Sequence, residues 1–343
     1  MTVSVGCDMH QNYSIFSIWD ENGLREEATR VEHEGEDLQQ YLEDLPEGAS
    51  VAVEAGGGWY RMIDAMEEAG LEPKLTDPHQ AKLMMGNVDK TDKLDAEGLA
   101  KLEATGTLPE VWIPSQEIRD RRELLRCRMK LVGDRTSHKN RVRATLDKYG
   151  VSIPSRDLFG GGESRSPRKL EELPPEHRRA VRIQLSLIEG LTDAIDELTD
   201  RIRETIQQTP SMKRLQTIPG VGTILSALIA LEVGDVERFP SGAHLASYAG
   251  TVPRVHASGG TVRHGSTKSN VNHKLKWGYA EAANSIVSHK QAWSQKHVVQ
   301  LYERIEGQKN HGVAIGAVSR HLAEATWHIL AKEESYRDPN SND

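Results

Sequence analysis

Residues 3–19 read VSVGCDMHQNYSIFSIW and contain two runs of β-branched and aromatic residues separated by a short polar stretch. Such runs predict β-strands, and a short connection predicts that the two strands pair antiparallel. DENG at 20–23 has the composition of a turn, so a third strand is expected around Ala28 to Val31. The chain is therefore predicted to begin with three consecutive antiparallel strands.

The next eighty residues alternate helix and strand signals. EDLQQYLEDL at 36–45 predicts a helix and SVAVEA at 50–55 a strand, followed by a helix after Trp59, a short strand near Lys74 and a helix that begins at Asp92. The predicted order is β-β-β-α-β-α-β-α. Three antiparallel strands followed by a strand reached through a helix is the layout of a ribonuclease H-like (RuvC-like) domain, in which the first and fourth strands are neighbours.

Four carboxylates occur where this layout predicts that they converge. Asp8 ends the first strand and Glu54 the fourth, while Asp92 and Asp95 in KTDKLDAEGLA (90–100) share one helix face. Taken alone, acidic residues in a first helical turn complement the helix dipole. As a set, four carboxylates would repel each other without divalent cations, and oxygen ligands favour Mg²⁺ or Mn²⁺. Two such ions would hold the attacking and leaving oxygens of a phosphoryl transfer.

Two neighbouring features have simpler interpretations. His10, two residues after Asp8, is expected to pack near the strand end, with contact to a substrate as the alternative. The glycines at 56–58 are interpreted as a strand-to-helix turn, whose small residues would also let a phosphate chain approach the metal site.

Length and composition limit the class of protein. A chain of 343 residues with 37% hydrophobic residues can form two or three domains with packed cores. The apolar runs are too short for a membrane span and the N-terminus lacks a signal-like stretch, so a cytoplasmic protein without membrane contact is expected. Cys7 and Cys127 lie far apart without CxxC spacing, which supports neither a disulfide framework nor a zinc knuckle.

Charge is segregated along the chain. Residues 1–110 contain 8 of the 43 basic and 24 of the 51 acidic residues, so the remainder of the chain is net basic although the whole carries −8. Residues 117–149 contain 11 basic and 5 acidic residues in a helical pattern. This asymmetry is expected when one region holds cations and another binds phosphates, and Arg122 and Arg126 are predicted to contact nucleic acid. A solvated helix face is the alternative interpretation.

The middle of the chain, 111–209, is predicted to contain this basic helix, a linker at 154–175 rich in Pro, Gly and Ser, and a coiled coil. Its partner helix would be the basic helix or a second subunit. The apolar residues that predict the coiled coil recur at three- and four-residue steps: Ile188, Leu191, Ile195, Leu198, Ile202 and Ile206.

The mostly helical region 210–334 contains two candidate nucleic-acid elements, and a disordered tail is expected at 335–343. LQTIPGVG at 215–222 is a helix-hairpin-helix signature in which Gly220 and Gly222 let backbone amides approach phosphates, although a structural hairpin has the same sequence requirements. Further on, Ser258 precedes two glycines in a basic loop and is a candidate nucleophile towards a phosphodiester, with ordinary loop chemistry as the alternative. The cations predicted to contact phosphate there are Arg254, Arg263 and Lys268.

Several motifs occur in this order along the chain: GCDMH, VAVEA, KTDKLDAEGLA, LQTIPGVG, FPSGAHLASYAG and the SGG loop. In the order and rough spacing of these motifs, the chain resembles transposases of the insertion sequence 110 family, including its 1111 subgroup. The resemblance covers nearly the whole chain: a RuvC-like DEDD domain at 1–110, a helical and coiled-coil middle, and a transposase domain from about residue 210.

The resemblance implies a site-specific DNA recombinase. Asp8, Glu54, Asp92 and Asp95 match the metal-binding acids of the family, and Ser258 matches the serine that attacks DNA to form a covalent phosphoserine link. It further implies that the two halves of the active site come from different subunits of a dimer or tetramer. A structured non-coding RNA of the element would guide recognition of target and donor DNA.

Two other functions fit parts of the same sequence. A metal-dependent nuclease or Holliday junction resolvase would use the four acids alone and would not need Ser258. A structural nucleic-acid-binding protein with a degenerate metal site would keep binding after Asp8→Ala. The complete acid set argues against this last function.

Overall fold

The computed structural model describes residues 3–20, 23–86, 91–160, 168–258, 261–267 and 270–341. The chain forms two compact units, the first ending at Pro114 and the second beginning at Ser115. Each unit has its own hydrophobic core. Among the described helices, none is long and apolar enough to cross a membrane.

The described part of the first unit contains a mixed sheet of β1 (Ser4–Met9), β2 (Tyr13–Asp20), β3 (Gly23–Glu32), β4 (Ser50–Glu54), β5 (Glu72–Thr76) and β6 (Glu110–Val111). The strand order is β3-β2-β1-β4-β5-β6, with β1 antiparallel to β2 and parallel to β4. The prediction that the first and fourth strands are neighbours is therefore confirmed. This mixed α/β arrangement is consistent with a ribonuclease H-like domain.

The helices described in this unit are α1 (Asp37–Glu43), α2 (Trp59–Glu68), α3 (Pro78–Met85) and α4 (Asp92–Ala104). Helix α3 and strand β6 were not predicted. Helix α3 carries start signals, because Asp77 accepts a 2.8 Å hydrogen bond from the Gln80 N–H and Pro78 opens the helix. It buries only Ala81, however, so its apolar pattern is weak. Strand β6 has two residues and is too short to show a period.

The two faces of the sheet pack against different helices. Val5, Cys7 and Val53 belong to the core that includes the apolar side chains of α1 and α2. On the opposite face, Ala52 packs with residues of α3 and α4, and Gly6 faces α4 directly. Because side chains alternate along a strand, the face that carries Gly6 also carries Asp8.

Gly6 allows helix α4 to lie against the backbone of β1. A β-carbon at this position would overlap the Ala96 carbonyl oxygen and would lie 2.5 Å from the Ala100 nitrogen. Real β-carbons do not approach backbone atoms this closely, so any side chain here requires the helix or the strand to move. Gly6 thus sets the distance between the strand that carries Asp8 and the helix that begins at Asp92.

The described second unit is mainly helical, with one β-hairpin. Its elements are α5 (Gln116–Asp147), α6 (Ser155–Phe159), α7 (Pro175–Thr205), α8 (Pro210–Leu215), α9 (Thr223–Val233), α10 (Gly242–Tyr248), β7 (Pro253–Ser258), β8 (Thr261–Thr267), α11 (His273–Ser288), α12 (His297–Gln308) and α13 (His311–Lys332). Helices α8 to α13 share a core around the fully buried Tyr279.

Helices α5 and α7 pack antiparallel against each other. Arg128 on α5 donates a 2.7 Å hydrogen bond to Thr199, and ten residues further along α5 His138 lies 2.6 Å from Gln184 of α7. The predicted apolar set on α7 divides in two, with Leu191 and Leu198 half-buried and the rest buried: Ile188, Ile195, Ile202 and Ile206. That these helices form a coiled coil through which subunits assemble stays a prediction.

The predicted disordered tail differs from the structure over residues 335–341. The Tyr336 N–H donates a 2.7 Å hydrogen bond to Thr217, and its ring packs against the core of the second unit. Asp338 accepts a 3.1 Å hydrogen bond from the His297 N–H at the start of α12. The polar composition of the tail predicted disorder. The sequence carries no signal for these contacts, because each is made with a residue distant in the chain.

We expect Gly6→Ala to lower the free energy of unfolding of the first unit by at least about 1–3 kcal/mol, because the added methyl group forces α4 away from β1. Urea denaturation followed by circular dichroism would measure the change. Gly57→Ala is the matched control, since nothing lies within 4 Å of its β-carbon position. Equal stability of the two variants would contradict the role assigned to Gly6.

Candidate functional site

Asp8 and Glu54 lie at adjacent strand ends. The parallel pairing of β1 with β4 reaches Cys7 opposite Val53, and Asp8 and Glu54 are the next residue on each strand. The shared direction of the strands places both at the same edge of the sheet. The topology therefore explains why acids 46 positions apart in the sequence come close together.

Asp92 and Asp95 lie in the first turn of α4. The helix is capped by Thr91, whose hydroxyl accepts a 3.3 Å hydrogen bond from the Leu94 N–H. Because α4 packs on the face of β1 that carries Gly6, its first turn lies near the end of that strand. Asp92 and Asp95 are both close enough to Asp8 to affect its ionisation.

His10 lies between two of the predicted acids. Its Nε2 atom is 3.1 Å from Asp8 Oδ2 and 3.2 Å from Asp92 Oδ2. Among the residues that the structure describes, these three side chains are the group whose potential ligand atoms all lie within 4.8 Å of one another. Glu54 and Asp95 lie outside this group.

The sequence interpretation of His10 as a packing residue missed this position. The Asp-x-His spacing at a strand end was the available signal, because residues two apart project to the same side of an extended strand. That signal is weak alone, since it occurs wherever a histidine follows a strand.

Tyr13 supports both His10 and Asp92. Its hydroxyl donates a 3.2 Å hydrogen bond to Asp92 Oδ2, and its ring stacks on the His10 ring with centroids 4.5 Å apart. The Arg30 guanidinium lies 3.7 Å from the centroid of the Tyr13 ring. Arg30 also forms a 2.7 Å ion pair with Glu32, so its position is set from two sides.

The environment of Asp8 favours a bound cation. Burial raises the pKa of Asp8 above its ordinary value; the nearby His10 opposes this rise, whereas the charges of Asp92 and Asp95 add to it. A carboxylate in this position is costly to ionise unless positive charge is supplied. A divalent ion bound by these oxygens would supply that charge.

The predicted serine loop is partly outside the described residues. Ser258 ends β7 and pairs with Thr261 of β8, which places it at the tip of the hairpin. The structure does not describe the side chains of Ser258 and Arg263, and Lys268 lies outside the described residues. Arg254 is exposed on β7. The roles predicted for these four residues stay predictions.

Gly220 and Gly222 lie in the turn between α8 and α9. Gly220 has a φ of 78°, and a β-carbon there would overlap the Ala282 carbonyl oxygen, so packing alone requires a glycine. Gly222 caps α9 with nothing within 4 Å of its β-carbon position. Both glycines line an open groove of about 890 Å³, together with Trp293, Lys296, Arg337 and other residues. Contact with nucleic acid at this turn stays a prediction.

The prediction that Arg122 and Arg126 bind nucleic acid requires correction. Arg122 is 7% exposed and donates a 2.7 Å hydrogen bond to the Leu231 carbonyl oxygen. Arg126 donates two hydrogen bonds to the Glu232 carboxylate, at 2.8 and 3.0 Å. Asn272 donates a third to the same carboxylate at 3.0 Å. Both guanidinium groups are therefore used inside the protein, where the sequence alone suggested a basic surface.

Glu232 is 1% exposed and ionised within this cluster. Burial by itself raises its pKa, but the hydrogen bonds and positive charges of Arg126 and Arg122 lower the pKa below its ordinary value of 4.5. The carboxylate is thus compensated by the protein's own cations. This distinguishes it from Asp8, whose pKa is raised.

Comparison with known proteins identifies the family. Residues 5–151 match the DEDD family model of IS110 elements, described as Transposase, and residues 212–298 match the model described as Transposase IS116/IS110/IS902 family. The chain therefore belongs to the IS110 family of insertion-sequence transposases.

Individual relatives agree with this assignment. The chain is 26% identical over 302 residues to the transposase for insertion sequence element IS1111A of Coxiella burnetii, covering 84% of this chain and 79% of that protein. It is 25% identical over 337 residues to the transposase for insertion sequence element IS1328 of Yersinia enterocolitica, covering 96% of each. A stretch of 72 residues, 20% of this chain, is 40% identical to 22% of the pilin gene-inverting protein of Moraxella bovis.

Asp8 gives a pH prediction for the metal-free protein. Because its pKa is raised on folding, the folded state holds this proton more tightly than the unfolded state, and stability falls as the pH rises from the ordinary value of 3.8 through the raised value. We expect Asp8→Asn to remove this loss, and Mg²⁺ or Mn²⁺ to reduce it in the wild type. Urea denaturation with and without EDTA, from about pH 4 to about pH 7, tests both effects. Asp44→Asn, at an exposed position, is the control. A wild-type pH profile that matches that of Asp8→Asn would contradict the prediction.

Glu232 gives a prediction of opposite sign. We expect Glu232→Gln to lower the free energy of unfolding of the second unit by roughly 3–5 kcal/mol, because Arg126 and Arg122 would be left without their carboxylate. Since the folded pKa is lowered, this stabilisation is present above pH 4.5 and is lost as the pH falls through the folded pKa. Urea denaturation of both proteins measures it, with the exposed Glu237→Gln as control. A change as small as that of the control would show that the cluster contributes little.

Proposed function

We propose that this transposase recombines DNA by phosphoryl transfer at a divalent-metal site formed by the four predicted acids, with Ser258 as the nucleophile. The observation that carries the proposal is the approach of Asp8, His10 and Asp92, whose potential ligand atoms lie within 4.8 Å of one another. Family membership supplies the DNA substrate, because the models that match both parts of the chain are transposase models.

The donor set fits a hard divalent cation. Asp8, Glu54, Asp92 and Asp95 offer carboxylate oxygens, which Mg²⁺ and Mn²⁺ prefer. The pKa of Asp8 is raised mainly by burial and further by the charges of Asp92 and Asp95. When bound, such ions stabilise the charge that develops on the attacking and leaving oxygens of a phosphodiester. The protein holds the acids in place through the β1–β4 pairing and the packing of α4 on β1.

The proposed covalent step is an exchange of phosphate esters. Ser258 Oγ attacks the phosphorus and forms an O–P bond, its proton leaves to a base, and the bond from phosphorus to one deoxyribose oxygen breaks as that oxygen takes up a proton. The hydroxyl of another DNA strand then attacks the phosphoserine and releases Ser258. Because the number of phosphoester bonds is conserved, DNA ends can be rejoined without an external energy source. Cations on the hairpin would stabilise the charged transition state.

The partners proposed are DNA, a structured guide RNA, and further copies of the chain. The charge split supports nucleic-acid binding by the second unit, since residues after 110 contain 35 of the 43 basic residues. Because Arg122 and Arg126 bind groups inside the protein, we propose that the exposed cations of α5 contact the phosphate backbone of the nucleic acid instead. These are Lys130, Arg141 and Arg143, and the exposed Lys148 follows directly after the helix.

The test is an in-cell recombination assay with the element's own flanking DNA. We expect Ser258→Ala and Asp95→Ala each to lower recombination by at least about 1000-fold, because each removes a group that acts on the reacting phosphate. On denaturing gels, wild type should show protein covalently attached to DNA, and Ser258→Ala and Asp95→Ala should not. Ser288→Ala, at an exposed serine of α11, should recombine like wild type.

Co-expression of the two inactive variants tests whether subunits share an active site. If acids and serine come from different copies, mixed assemblies contain one intact combination, and recombination should return to a measurable fraction of the wild-type level.

The single variants distinguish the recombinase from a nuclease or junction resolvase. For a nuclease or resolvase, Ser258→Ala would still cleave DNA, and only Asp95→Ala would be inactive. That result would refute the proposed role of the serine.

A further inference from the structure

We propose that His10 is a metal ligand, and that its nitrogen makes the site bind Mn²⁺ in preference to Mg²⁺. This inference rests on the proposed metal site and specifies which cation that site selects. The four acids supply oxygen ligands alone. The group of potential ligands found among the described residues, Asp8, His10 and Asp92, also includes an imidazole nitrogen.

The distances around His10 match those between neighbouring ligands of one ion. Adjacent ligands of an octahedral ion with bonds of about 2.1 Å lie about 3 Å apart. His10 Nε2 lies 3.1 Å from Asp8 Oδ2 and 3.2 Å from Asp92 Oδ2. The ring nitrogen thus already has the spacing from both carboxylates that shared coordination requires.

The surroundings of His10 hold its ring in this orientation. The ring stacks on Tyr13 with an interplanar angle of 28°, and the backbone N–H of His10 donates a 2.9 Å hydrogen bond to the Tyr13 carbonyl oxygen, which fixes the backbone that carries the ring. The Tyr13 hydroxyl meanwhile binds Asp92 at 3.2 Å. One residue therefore positions both an imidazole and a carboxylate of the group, as the supporting residues of metal sites do.

The mixed donor set decides the choice of cation. Mg²⁺ is bound through oxygen ligands and keeps several waters, so an imidazole contributes little to its affinity. First-row transition ions accept both carboxylate oxygen and imidazole nitrogen. A site with two carboxylates and one histidine should therefore bind Mn²⁺ more tightly than Mg²⁺, and removing the histidine should reduce that preference.

Mn²⁺ is also the probe, because its electron spin reports a bound nitrogen. The full chain would be titrated with Mn²⁺, with free Mn²⁺ measured by electron paramagnetic resonance, and bound Mn²⁺ examined by pulsed methods for ¹⁴N coupling. We expect ¹⁴N coupling in wild type and its loss in His10→Gln, with Mn²⁺ affinity reduced roughly tenfold and Mg²⁺ affinity, measured by competition, changed much less. Circular dichroism would verify that the variant is folded.

The matched control is His33→Gln. His33 lines the same cavity of about 350 Å³ as His10, and its ring is 2.9 Å from the Ser14 hydroxyl, but it lies outside the group of potential ligands. This variant should keep the ¹⁴N coupling and the Mn²⁺ affinity of wild type. Loss of the coupling in His33→Gln and not in His10→Gln would overturn the assignment.

Failure of this inference can be distinguished from failure of the proposed function. If Mn²⁺ binds, Asp8→Asn abolishes binding, and wild type shows no ¹⁴N coupling, His10 is only a hydrogen-bond partner and the carboxylate site stands. If Mn²⁺ binding is absent or insensitive to Asp8→Asn, the metal site is wrong, and both the inference and the proposed chemistry are overturned.

Discussion

Helix α4 lies directly on the backbone of β1 because Gly6 has no side chain to hold the two elements apart. The Ala96 carbonyl oxygen and the Ala100 nitrogen occupy the space that a β-carbon would need. The contact is two residues before Asp8 on the strand and one turn beyond Asp92 on the helix. A larger distance between α4 and β1 would move Asp92 away from Asp8. The candidate metal site therefore depends on Gly6, although a glycine cannot bind the metal through a side chain.

The half-buried Asp8 of the first unit and the buried Glu232 of the second unit have different electrostatic surroundings. Glu232 is surrounded by Arg126, Arg122 and Asn272, which lower its pKa and keep it ionised. Asp8 is grouped with other acids and His10, and its pKa is raised. A carboxylate that the protein's own cations compensate is explained by folding, whereas one that remains costly to ionise has the electrostatics of a cation-binding group. This difference, more than the number of acids, separates the candidate site from a structural ion pair.

The basic helix α5 shows why charge counts along a sequence have limited value. Its 33-residue region was correctly predicted to be helical, and its excess of cations suggested a surface for nucleic acid. Two of those cations instead face inward, because α5 packs against α7 on one side and α9 on another. Sequence composition records how many charges a helix has, but their direction depends on which neighbouring element covers each face.

The sequence by itself determined the first five strands of the first unit, the neighbouring positions of the first and fourth, the elements that carry Asp8, Glu54, Asp92 and Asp95, and the family. These features follow from local periodicity and from motifs that are contiguous in the chain. Only the tertiary structure decided that His10 lies between two of the acids, that Gly6 sets the helix-to-strand distance, and that Arg122 and Arg126 are internal. Each of those outcomes depends on contacts between residues 80 to 110 positions apart, for which a single sequence carries no periodic signal.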